Sequence, residues 1–153
     1  MSCSNYRCLQ MTNNNVGAVA AGSFMPLGTI TRSIADNNCS LPRPFEVTTS
    51  GADTVLLTKT GVYDVLYSAT VVAGAAGILT LALFVGDEQV YAVSATVASG
   101  ATATLTLPYD LRVFGNCKSM PGNCPLPVRV QLQTVGITGG TGNLRIGSCV
   151  NGN

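Results

Sequence analysis

Six cysteines, seven carboxylates and no histidine bound the chemistry open to this chain. Without histidine the commonest general base is missing, and the Ser-His-Asp and Cys-His arrangements are excluded. A glycosidic pair needs two carboxylates flanking the scissile bond. Asp36, Glu46, Asp53, Asp64, Asp87, Glu88 and Asp110 are the candidates, and most fall in predicted loops. Asp87-Glu88 reads as a solvated turn and offers too few ligands for calcium. Asp64 stands apart, early in an apolar strand, with Arg112, Arg129 or water as its partners. Gly139-Gly140-Thr141-Gly142 lacks the Lys-Ser/Thr of a phosphate cradle and no helix follows, so it reads as a hairpin loop. Asn38-Cys39-Ser40 matches a glycosylation acceptor by letter, with no secretory route visible to use it. The reading is of a protein that is not an enzyme, with no catalytic, cofactor-binding or metal residues to assign.

The cysteines are Cys3, Cys8, Cys39, Cys117, Cys124 and Cys149. Cys117 and Cys124 flank Lys118-Ser119-Met120-Pro121-Gly122-Asn123, a turn-rich loop that suits a disulfide between them. Cys3, Cys8, Cys39 and Cys149 are candidate arm or inter-subunit cysteines. Cys3 and Cys8 have each other, Cys39, Cys149 or a neighbouring subunit as partners, and sequence alone leaves the connectivity open. No signal peptide is evident, so synthesis in a reducing compartment is expected, with any disulfide forming after release. Zinc would need a second short-spaced pair or histidines to complete four ligands.

The elements that must carry these residues are extended. Hydrophobic residues make up 46% of the 153 and charged residues 10%, against about 25% charged in a usual domain. So few charges leave much of the surface without a solubilising coat, which points to a surface that meets other protein. Eight basic residues are scattered among the seven acidic ones. No basic cluster exists for nucleic acid, and no polybasic segment for an anionic membrane. Val65 to Gly86 is 22 residues without a charge, long enough to span a bilayer. Gly74 and Gly77 interrupt it, and strand-like alternation runs on both sides, so two strands and a hairpin are expected.

Residues 1–23, rich in Asn, Ser, Gly and Ala, read as an N-terminal arm, and residues 24–153 as one domain. Strands are expected at Phe24–Thr31, Thr54–Thr58, Gly61–Val71, Ile78–Val85, Gln89–Val97, Ala101–Leu107, Val128–Val135 and Asn143–Ile146, with a short extended piece at Phe45–Thr48. About eight strands at roughly ten-residue spacing, with no credible helix, argue a sandwich, jelly roll or barrel. Tyr63, Val65 and Tyr67 form the stronger core stripe of the long strand, which turns Leu66 outward as the candidate trimer contact. Both faces of Ile78–Val85 are apolar, so burial on both sides is expected there.

Gly61-Val62-Tyr63-Asp64-Val65 resembles the strand that opens the long central strand of the C1q/tumour-necrosis-factor-like superfamily. Leu81 to Gly86 resembles the hydrophobic strand and Gly turn that follow it. Leu107-Pro108-Tyr109-Asp110-Leu111-Arg112-Val113 is similar to a later element, and the likeness runs over about residues 54–147. More narrowly, Met25-Pro26-Leu27-Gly28, Gly61 to Val65 and Val113 to Cys117 resemble phage head-decoration or fibre-type proteins of viruses of Gram-positive bacteria. The resemblance implies an all-β, two-sheet jelly roll and a homotrimer on a virion surface, made in the bacterial cytoplasm. It implies attachment to other virion proteins through residues 1–23. A fibre tip that binds a receptor or glycan, or a bacterial spore-surface or appendage subunit, are the other roles such folds take.

Overall fold

In the computed structural model, residues 5–34, 45–47, 53–57, 61–113 and 126–150 are described. They form ten antiparallel strands and no helix: β1 (Asn5–Asn13), β2 (Thr29–Ile34), β3 (Phe45–Val47), β4 (Val55–Leu57), β5 (Gly61–Ala73), β6 (Gly77–Val85), β7 (Glu88–Val97), β8 (Thr102–Val113), β9 (Leu126–Gln133) and β10 (Ile137–Val150). Two five-stranded sheets result, ordered β2-β1-β10-β5-β8 and β3-β4-β9-β6-β7. Among the described residues no helix is long and apolar enough to cross a membrane. The uncharged Val65–Gly86 stretch is instead β5, a turn at Gly74–Ala76 and β6.

Alternation builds the core. Along β5 every second side chain from Tyr63 to Ala73 is buried, while Val62, Asp64, Leu66 and Thr70 face out. Leu79, Leu81 and Leu83 of β6 are fully enclosed from the other sheet, as are Val130 and Leu132 of β9 to within 1%. These inner faces share one apolar cluster, the usual way a sandwich hides both sheets. On the far side of β6, Ala82 is buried and Phe84 half-buried, but Ile78 is 57% exposed, so that face is covered only in part.

Within the expected arm, residues 5–23 lie on the sandwich. Residues 5–13 are β1, hydrogen-bonded to β2 on one side and to β10 on the other, with Leu9 and Met11 buried in the core. The segment after β1 then stitches the two sheets together. The Val16 amide donates to the Gly140 carbonyl of β10 (2.9 Å), and Val19 exchanges hydrogen bonds with Ile137. A few residues later the Gly22 and Met25 amides donate to Leu132 and Val130 of β9, in the opposite sheet. Met25 and Leu27 end fully buried. The first regular strand after this crossing starts at Thr29, later than the Phe24–Thr31 expectation, because residues 22–25 lie along the β9 edge instead.

Phe24 anchors the crossing. Its ring meets Phe84 of β6 edge-on at 5.7 Å, and the Arg129 guanidinium of β9 lies 4.1 Å over its centroid. Arg129 also donates to the Gly86 carbonyl and reaches Asp87 at 3.8 Å. It is therefore spent on the second sheet and unavailable to Asp64.

The glycine run Thr138–Gly142 is not a hairpin loop but the first part of β10. The chain reverses at Thr134–Gly136, where Thr134 takes φ 68° and donates through its hydroxyl to the Ile78 and Gln133 carbonyls. The glycines serve close approach between strands. A Cβ on Gly140 would strike the Thr70 carbonyl of β5, and one on Gly142 would lie 2.6 Å from the Tyr67 hydroxyl oxygen. That hydroxyl is buried and has no hydrogen-bond partner among the described residues. Burial pushes its phenol far above the ordinary 10.0.

Two outcomes are expected in denaturation experiments. Gly142→Ala costs about 1–3 kcal/mol by overpacking, and adding Tyr67→Phe recovers most of the loss because the clashing oxygen is gone. Phe24→Ala costs about 1–3 kcal/mol from the edge-on ring pair and the cation–π contact, and amide hydrogen exchange at Gly22, Met25 and Leu132 accelerates relative to the β5 amides.

Candidate assembly face

The outward face of the first sheet is one continuous array, because directly paired residues of antiparallel strands project to the same side. One row across it reads Arg32, Gln10, Arg145, Leu66, Pro108, from β2 to β8. The next row reads Cys8, Gly147, Asp64, Asp110. Toward the other end the rows are hydroxyl and amide: Thr12, Asn143, Ser68, Thr106, then Thr141, Thr70, Thr104. The Thr70 and Thr104 hydroxyls are hydrogen-bonded at 2.9 Å, and Gln10 reaches Asn143 at 3.5 Å. Pro108 fits because β8 is an edge strand, where a missing amide costs no ladder bond.

Leu66 is 40% exposed and Val62 50% exposed on this face. Tyr63, Val65 and Tyr67 lie on the opposite side of the same strand, each at most 2% exposed. Along the neighbouring edge, where β7 and β8 run side by side, the Tyr91 and Tyr109 rings stack at 6.1 Å and Tyr91 is 41% exposed. Β7 carries no charge or proline from Gln89 to Val97, so its outer edge lacks the usual guards against pairing or packing with another chain.

Charge is concentrated at one end of the face. Asp64 and Asp110 are directly opposed on β5 and β8, a pairing that repels when both are ionised. Asp64 is held above its ordinary 3.8, first by a hydrogen bond with the Asp110 carboxyl, then by slight burial and the Asp110 charge, while Arg145 pulls the other way. Of the two arginines the sequence offered Asp64, Arg112 lies two residues beyond Asp110 on β8 and Arg129 is in the other sheet. Asp64, Leu66 and Arg145 surround a shallow recess of about 190 Å³ whose floor opens at Gly147, which contributes no side chain.

Cys8 is a free thiol, 4% exposed, paired opposite Gly147 and outside the main apolar cluster. Cys149 lies in β10 with its backbone paired to Tyr6. Cys3, Cys39, Cys117 and Cys124 lie outside the described residues. No group of three metal-binding side chains occurs among the described residues. Arg145, Tyr91 and the Asp64–Asp110 opposition were not singled out by sequence reasoning. The one available signal was parity: Asp64 and Leu66 share a face of the same strand, so whatever β8 sets beside Leu66 sets its neighbour beside Asp64.

No family model and no curated protein sequence matches this chain. Solved structures do. The Eiger TNF of S. frugiperda superposes with a TM-score of 0.69 at 11% identity, over 97% of this chain and 96% of that one. The PRD1 vertex protein P5 superposes with a TM-score of 0.60 at 14% identity, over 94% and 97%. The globular domain of zebrafish complement 1qA gives 0.56 at 11% identity, over 96% and 99%. The fold is a TNF-like jelly roll. At these identities the likeness speaks for architecture alone, and it covers 94–97% of the chain.

Carbon-detected NMR titration of the carboxyls tests the electrostatic account. Asp110→Asn is expected to lower the Asp64 midpoint, because the neighbouring negative charge is replaced by an amide that favours the ionised form.

Proposed function

We propose that the protein is a non-enzymatic structural component of a virion surface, of the capsid-decoration or head-fibre type, working as a homotrimer. The observation that carries the trimer is Leu66, exposed with Val62 on a sheet face that points out of the core. Exposed apolar area of this kind marks a contact surface. The aromatic β7–β8 edge is a different surface of the same molecule. Packing the edge of one copy on the face of the next is a head-to-tail contact, and such a contact closes into a three-membered ring when each copy is rotated by a third of a turn. The low charge content agrees with a chain much of whose surface meets protein.

The virion reading draws support from the full-length similarity in fold to the PRD1 vertex protein P5. It is narrowed to viruses of Gram-positive bacteria only by the sequence resemblance at Met25–Gly28, Gly61–Val65 and Val113–Cys117. Attachment to partner virion proteins is assigned to the exposed positions of the N-terminal segment, Asn14, Asn15, Ala18, Ala20, Ala21 and Ser23.

Light scattering on the size-fractionated full chain is expected to give three times the monomer mass. Leu66→Glu is expected to weaken association at least about tenfold, since burying a leucine contributes roughly 1.5–3 kcal/mol and the new carboxylate would have to be desolvated. Its circular dichroism should keep the β signature. A wild-type chain that stays monomeric at micromolar concentration removes the trimer. Mass spectrometry of particles purified from the encoding organism is expected to find the chain; its absence from every particle removes the virion role.

A further inference from the structure

The charged end of the face lies beside the apolar residues proposed to make the trimer, and the inference here rests on that reading. Asp64 and Asp110 are opposed across β5 and β8, where paired Cβ atoms are about 4.5–5.5 Å apart. Leu66 is two residues from Asp64 on the same side of β5, so a neighbour that covers Leu66 also removes water from the carboxyl pair. We propose that this pair makes assembly proton-dependent: one proton held between Asp64 and Asp110 lets the face be covered, and its loss at higher pH sets two bare carboxylates against a dry contact.

Among the described residues, the charged and titratable groups around the pair are few and can be named. Arg145 of β10 lines the same recess, diagonal to Asp64. Arg112 of β8 is paired with Val62, one row beyond. Arg32 of β2 lies across Gln10 from Arg145, two strands further from the pair. Cys8 of β1 shares the row but is buried and separated by Gly147. Arg145 and Arg112 thus flank the pair from either side at one diagonal step, while the two carboxylates face each other directly, and a proton shared between them removes that repulsion. In the free subunit the pair is largely solvated, and the Asp110 hydrogen bond already favours the protonated form of Asp64. Covering the face adds desolvation, which favours that form further.

The sign follows from linkage. A carboxyl whose proton is held more tightly in the assembled state contributes association free energy that is fully present below its free-subunit midpoint. That contribution is lost as pH rises through the higher midpoint of the assembled state. Each proton taken up on assembly changes the association constant about tenfold per pH unit inside that window.

Sedimentation equilibrium of the full chain, run from pH 4 to pH 7.5 at constant ionic strength, reads this directly. The trimer of the wild-type chain is expected to weaken at least about tenfold from the acid to the neutral end. Asp110→Asn and Asp64→Asn each keep a hydrogen-bonding side chain while removing one charge, and each is expected to hold trimer strength nearly constant over the range. Circular dichroism confirms that either variant is folded, and two single variants are used so that a folding defect in one leaves the other as the test. A wild-type trimer whose strength does not change with pH overturns the inference and leaves the trimer standing. Variants that keep the wild-type pH dependence overturn it equally. A monomer at every pH overturns both the inference and the trimer on which it rests.

Discussion

Strand β5 is the element on which the rest of the molecule depends. Its thirteen residues alternate buried and outward without a break in parity, and it is hydrogen-bonded along nearly its whole length to β10 on one side and β8 on the other. The inward set supplies two fully buried tyrosines to the core, and the outward set supplies Leu66 and Asp64 to the face. A one-residue slip of this strand would exchange the two sets, placing a carboxylate in the core and two tyrosines outside. The glycines of β10 hold that register, since Gly140 and Gly142 lie where any side chain would collide with Thr70 or Tyr67. Core, face and strand order are thus consequences of one constraint.

The same alternation makes the strands between Gly61 and Val97 legible in the residues themselves. Buried and outward side chains alternate with period two along β5, β6 is apolar on nearly every residue, and Gly-containing turns punctuate them. What sequence reasoning misplaced has a common cause. Residues 5–13 are polar and short of β-branched side chains, and they form a strand because β2 and β10 offer two edges to a segment with Leu9 and Met11 at the right parity. Thr138–Gly142 has the composition of a turn, but the glycines are there for close packing across a sheet. In both places tertiary contact overrides local preference. The opposition of Asp64 and Asp110 was hidden for a different reason: it depends on the register between β5 and β8, and no local pattern encodes a register across more than forty intervening residues.

Charge is sparse in this chain, so its placement carries weight. Arg129 is committed to the second sheet through Phe24, Gly86 and Asp87. Asp64, Asp110, Arg112 and Arg145 gather instead at one end of the first sheet, beside exposed Leu66 and Val62. The remaining rows of that face are threonine, serine and asparagine, which bond to each other across the strands. A face of this make-up tolerates water when alone and can be dried when covered, except where the two aspartates meet.

The pairing of β1 with β10 has a consequence for how the protein is made. These strands join residues as far apart as Asn5 and Val150, and Gln10 bonds Asn143 across 133 positions. The first strand to leave a ribosome therefore waits, unpaired on that side, until the last one has been translated. Contacts this remote in sequence are slow to find, and an all-β chain rich in them folds late and all at once. During that interval the backbone edge of β5 that β10 will occupy stays open while other copies emerge nearby, an unpaired edge of the kind that neighbouring chains can join.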